Sequence, residues 1–201
     1  MGRGGRYNNN MDKGGLSKLI NLTNGMTADG GLKMKEDNNV DLRLKNTWEV
    51  VCKGSDGREK WRELNDNLIV TAGLNALLTE FFKGSSYTAT WCVGLKSTGT
   101  ALAADTMSSH SSWAENTTYS ESVRQTIVLG TPSAGSVDNS ASKATFSING
   151  TTTIFGAFLA NSSTKGGTSG TLYGVVDFGS SRAVISGDTL EITVTLTAAS
   201  A

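Results

Sequence analysis

One proline, one histidine, two cysteines and no net charge are what 201 residues leave out, and each scarcity closes a class of protein. With a single Pro and 18% charged residues the chain is neither collagenous nor a coiled coil, and at 37% hydrophobic it is not disordered throughout. Eighteen Lys plus Arg balance eighteen Asp plus Glu, so no net field draws the chain to nucleic acid or to an anionic membrane. No apolar run approaches the roughly 20 residues that span a bilayer. Residues 1–30 carry no signal-peptide stretch, which sets the expectation of a protein that begins in a cytoplasm. Cys52 and Cys92 lie far apart without CxxC or CxxH spacing and read as buried apolar residues, not as a metal site or a disulfide framework.

What is present is unevenly spread. Residues 1–66 hold twelve of the Lys/Arg and ten of the Asp/Glu, whereas 43 of the 135 residues from Asn67 onward are Ser or Thr. That second composition suits exposed strand faces and turns. Residues 1–45 are dense in Gly and Asn, with residues 16–22 as a short apolar patch. Such a stretch cannot bury a core, so it is expected as an extended N-terminal arm that orders against a partner. Residues 46–201 are expected as one folded domain.

From Thr47 to Lys53 and from Arg58 to Leu64 the pattern predicts a hairpin around the turn Gly54-Ser55-Asp56-Gly57. Thr71 is placed to cap a helix over about 71–83, whose Leu74, Leu77, Leu78, Phe81 and Phe82 form one stripe expected to face a core, with Gly84 as its stop. Strand candidates follow at 90–96, 123–129, 143–149, 153–159, 171–178, 182–185 and 189–197. In the last, Leu190, Ile192, Val194 and Leu196 alternate with polar residues. The prediction is a mainly β protein: a β-sandwich, jelly-roll-like, with one packed helix.

Catalytic signals are thin. His110 sits in a polar Ser-rich loop without a Gly-x-Ser-x-Gly elbow. Asp105, Glu115, Glu121, Asp138, Asp177 and Asp188 make no calcium-loop pattern, and no cofactor or metal is expected. The segment Lys165-Gly-Gly-Thr-Ser-Gly-Thr lacks the end of a phosphate loop and reads as a hairpin loop. Among the four tryptophans, Trp91 is expected in the core and Trp113, between polar neighbours, at a contact surface.

The run Lys60-Trp-Arg-Glu-Leu-Asn-Asp-Asn-Leu-Ile-Val-Thr-Ala-Gly-Leu-Asn-Ala-Leu-Leu resembles a group of tailed-bacteriophage structural proteins. So do Trp91-Cys-Val-Gly-Leu, Asp105-Thr-Met-Ser-Ser-His-Ser-Ser-Trp-Ala-Glu, Tyr119-Ser-Glu-Ser-Val-Arg, Gly156-Ala-Phe-Leu, Thr168-Ser-Gly-Thr-Leu-Tyr and Ser186-Gly-Asp-Thr-Leu-Glu-Ile-Thr-Val. The likeness covers residues 46–201, with Cys92 where the group often has Tyr. It implies a non-enzymatic virion component.

Within a virion, a small sandwich with a long arm fits a capsid decoration, or cement, protein on the capsid surface, assembled in the host bacterial cytoplasm. The expected partner is the major capsid protein, with homo-oligomerisation and neither specific nucleic acid nor membrane. Arg3, Arg6, Tyr7, Leu16, Leu19 and Ile20 are the arm residues expected to carry partner contacts, because charge and apolar surface in a polar arm hold its binding energy. The alternative is a tail fibre, collar or adaptor component. A glycan hydrolase or carbohydrate-binding module would need paired carboxylates or an aromatic platform, and neither stands at recognisable spacing.

Overall fold

The computed structural model describes residues 42–83 and 90–200, which form two antiparallel sheets around a shared core. The first sheet runs β2 (Glu59–Asp66), β1 (Leu42–Lys53), β11 (Thr189–Ser200), with β7 (Ser136–Asp138) and β8 (Ala144–Ser147) end to end along the far edge of β11. The second runs β3 (Leu68–Ile69), β10 (Leu172–Val184), β9 (Thr152–Ala160), β4 (Cys92–Gly99), followed by β5 (Trp113–Asn116) and β6 (Gln125–Thr126) on β4. Pairing of the first strand with the last and chain crossings between sheets are jelly-roll-like. The local hairpins β1–β2 and β9–β10 depart from that plan.

Period-2 patterning builds the core. Trp48, Val50 and Cys52 of β1 stand opposite Val194, Ile192 and Leu190 of β11, and all six are fully buried. Against them lie Val93 and Leu95 of β4, Ile154, Ala157 and Leu159 of β9, and Val176 and Phe178 of β10. Each large apolar side chain so buried contributes about 1.5–3 kcal/mol relative to exposure. The expected hairpin is present, with Gly57 N–H donating to Gly54 O at 2.9 Å. Cys52 and Cys92 are buried free thiols, as expected.

Several expectations need correction. The inward alternation continues back from Trp48 through Asn46 to Leu44, and Leu42 pairs with Ser200. Residues 42–45 therefore belong to the sheet and not to the arm. The two strands expected at 171–178 and 182–185 are one continuous strand, β10 (Leu172–Val184), whose register shifts between Asp177 and Arg182. The Gly179-Ser180-Ser181 segment that reads as a turn is an exposed irregularity within it. Of residues 123–129, only Gln125 and Thr126 pair in a strand.

The helix α1 (Thr71–Lys83) forms where expected but turns differently. Its first intrahelical acceptor is Val70 O, at 3.1 Å from Leu74 N, so the cap position falls on Val70; the Thr71 N–H instead donates to Ala103 O at 2.9 Å. The helix approaches the sandwich through small residues. Gly73 sits so close to β10 that a Cβ there would stand 2.2 Å from Tyr173 O. Leu74, Leu77 and Leu78 remain 39%, 38% and 52% exposed, which corrects the expectation that the leucine stripe faces a core. The Gly84 stop and residues 1–41, including the arm, lie outside the described residues.

Candidate partner-binding site

The outer face of the second sheet carries its own small core, and glycines make it. In register across β4, β9 and β10, Gly94 stands beside Phe158 and Phe158 beside Val175. A Cβ on Gly94 would lie 2.2 Å from the Phe158 ring, so its absence lets that ring lie across β4. Phe158, Ala160, Leu172 and Val175 are covered by Val70, Met107 and Trp113.

One step along the same face, Lys96 and Asp177 flank Gly156. Over this side-chain gap the fully buried Lys96 ammonium meets Asp177 Oδ1 at 2.7 Å and also donates to Gly99 O. Asp177 Oδ2 accepts the Ala101 N–H at 3.0 Å, and the buried Asp105 accepts from Leu102 N–H at 2.8 Å and Trp113 Nε1–H at 2.9 Å. The loop over residues 100–112 is thereby pinned down. Arg124, fully buried, lies with its guanidinium carbon 5.0 Å from the Phe158 ring centroid. It donates in fork geometry to Glu115 and further to Ser162 O at 3.0 Å and Gly167 O at 2.6 Å. These charges are engaged by internal partners, and the layer serves to hold three loops in place.

Trp113 belongs to this layer. It is 4% exposed, its ring stacks on His110 at 4.0 Å between centroids, and its N–H is taken by Asp105. The expectation that it stands at a contact surface is corrected: the indole fills the second core. The other candidate contact residues, Arg3, Arg6, Tyr7, Leu16, Leu19 and Ile20, lie outside the described residues.

Cys52 illustrates how tightly charge is managed at the end of the first sheet. Its Sγ lies 3.8 Å from Asp188 Oδ2, which also takes Lys60 Nζ at 2.6 Å and the Ile185 N–H at 3.0 Å. Burial, reinforced by the Asp188 carboxylate, pushes the thiol up to about 12. Such a thiol is no nucleophile near neutrality.

An opening of a different character lies between α1 and the sandwich. A cleft of about 140 Å³ is lined by Ala76, Leu77 and Glu80 from the helix, by Trp91 just ahead of β4, and by Tyr173 and Leu196 from the sheets. Past Leu77, Tyr173 and Leu196 it widens into a recess of about 350 Å³ bordered by Leu44, Asn46 and Pro132. Trp91 is partly buried against the main core and meets Tyr173 edge to face, with centroids 5.5 Å apart. Burial raises the Tyr173 hydroxyl pKa, and the neighbouring Asn46 amide opposes that rise. Glu80 Oε2 is buried at the cleft with no hydrogen-bond partner. This arrangement offers apolar walls, one acceptor and an adjoining face of exposed leucines. Sequence reasoning overlooks it because Trp91, Tyr173 and Leu196 read as ordinary core; the overlooked signal is the small-residue face of Ala72, Gly73 and Ala76, which marks the docking side of the helix.

Among the described residues no group of three or more His, Cys, Asp and Glu is placed to hold a metal ion. No family model and no curated protein matches this chain.

Proposed function

We propose that the protein is a non-enzymatic structural component of a tailed-bacteriophage virion, and within it a capsid decoration protein bound to the major capsid protein. The observation that carries the reading is the set of sequence blocks resembling phage structural proteins. Those blocks converge in space. Glu115 from one and Arg124 from a second form the buried ion pair, over Phe158 from a third.

The surface suits lattice work: an exposed apolar helix face beside an apolar cleft, and 41 residues ahead of the first strand. Cementing is an equilibrium effect. Contacts made only to the mature shell stabilise that shell, and many weak copies add up. Arg3, Arg6, Tyr7, Leu16, Leu19 and Ile20 are the arm residues proposed to carry the partner contacts. A tail fibre, collar or adaptor role is the competing assignment.

Copy number separates the two. Quantitative mass spectrometry of purified virions is expected to find this protein at abundance comparable to the major capsid protein. Abundance of a few copies per particle would overturn the decoration assignment in favour of the tail, and absence from virions would overturn both.

A further inference from the structure

Lys96 on β4 and Asp177 on β10 both stand beside Gly156 of β9, and their side chains meet across the gap that this glycine leaves. Among the described ion pairs, Lys96 is the one lysine whose side chain is fully buried; the lysines of the other pairs keep 35% to 60% of theirs exposed. Its Nζ stands 2.7 Å from Asp177 Oδ1. Yet Oδ1, itself buried, has no hydrogen-bond partner, so the amine touches the carboxyl group without the alignment of a hydrogen bond. The other carboxyl oxygen, Oδ2, is held separately by the Ala101 N–H at 3.0 Å, and Nζ donates to Gly99 O. One enclosed amine is thus held against one fixed carboxyl group.

We propose that Lys96 and Asp177 condense to an isopeptide bond, a covalent cross-link from β4 to β10. Proton transfer within the pair supplies the neutral amine and the carboxylic acid, the forms that burial favours. Nζ then attacks Cγ, and the Ala101 N–H steadies the negative charge that gathers on Oδ2. Oδ1 departs as water with the acid proton and one proton from Nζ, so a Nζ–Cγ bond replaces the Cγ–Oδ1 bond and nothing is oxidised or reduced. The product keeps both existing contacts: Oδ2 remains the acceptor for Ala101, and the last Nζ–H remains the donor to Gly99 O. Two enclosed charges become one neutral amide, which removes the cost of keeping them out of water. Fixing the two groups side by side corresponds to an effective concentration of about 10⁵ M or more. The Asp177 side chain stays partly exposed, which gives the water a way out. The enclosed Arg124–Glu115 pair cannot take this course, because a guanidinium stays protonated. The inference goes beyond the virion assignment and does not depend on it, since it concerns the covalent structure of the domain alone.

Mass spectrometry of the denatured full chain tests this. The purified protein is expected to be lighter by one water than its sequence requires, and protease digestion is expected to release a branched peptide that joins Lys96 to Asp177. Lys96→Met and Asp177→Ala are each expected to restore the full mass. Should either variant fail to fold, the unaltered chain decides the matter by itself. A folded, unaltered chain at its full mass would overturn the proposal. So would a lost water that maps elsewhere, such as ring closure at Asp56-Gly57, or variants that still lack the water. Neither the expected result nor its failure bears on virion copy number, so the two readings stand or fall separately.

Discussion

Arg124 and Glu115 face each other inside the protein, with Arg124 Nε and Nη2 donating to the two Glu115 carboxylate oxygens at 3.0 and 2.7 Å. A buried pair of this kind is asymmetric in its energetics. Removing one partner strands a charge in a low dielectric, whereas replacing both by apolar groups removes the desolvation cost together with the attraction. Glu115→Ala is expected to lose about 3–5 kcal/mol. Arg124→Met combined with Glu115→Leu is expected to lose clearly less. Urea denaturation of both variants checks this; a double variant as unstable as the single one would show that the fork bonds to the loops outweigh the charge balance.

Gly73 predicts how α1 is attached. A methyl group there meets the Tyr173 carbonyl at 2.2 Å, and backbone cannot step aside as a flexible side chain can. Gly73→Ala, although it favours helix locally, is expected to cost about 1–3 kcal/mol through overpacking. Amide hydrogen exchange localises the effect: protection is expected to fall over residues 71–83 and to persist in β9 and β11.

Cys52 is expected to resist alkylation. With its thiol pushed up to about 12 by burial and by Asp188, the thiolate is scarce at pH 8 and the sulfur is fully enclosed. Iodoacetamide should modify it only after denaturation. Labelling of the native protein at the rate of a free thiol would contradict the buried placement.

Acid sensitivity follows from Glu191, whose carboxyl is held below its ordinary value of 4.5 first by its hydrogen bond with Lys53 and then by Lys143. The folded form binds the proton more weakly than the unfolded form. Its stabilisation is thus complete above the ordinary carboxylate value and is lost as pH falls through the lowered one. Thermal melts of Glu191→Gln should show a shallower decline in Tm between pH 5 and 3, as set by that carboxylate range. An unchanged slope would remove Glu191 from the account.

The sequence is most legible where one face is wet and the other dry. Strand β11 alternates cleanly because Leu190, Ile192 and Val194 face the core while Glu191 and Thr195 look outward, Glu191 toward Lys53 and Lys143. Legibility fails where both faces are buried. Nothing in the local sequence around Lys96 and Arg124 signals burial, yet each is wholly enclosed because a carboxylate and loop carbonyls receive it. No local pattern reports partners that lie far along the chain. The helix shows the same limit from the opposite side: its leucines satisfy the expected stripe, but the close approach of backbone at Gly73 decides which face docks. The cleft at Glu80 follows from that docking, with Ala76 turned toward the sheets.

The pairing of β1 with β11 over their full length joins the beginning of the sandwich to its end. Contacts this remote in sequence are slow to form, since loop closure precedes the reward of pairing. During synthesis the first sheet must wait, with Trp48 and Val50 uncovered, until residues 189–200 leave the ribosome.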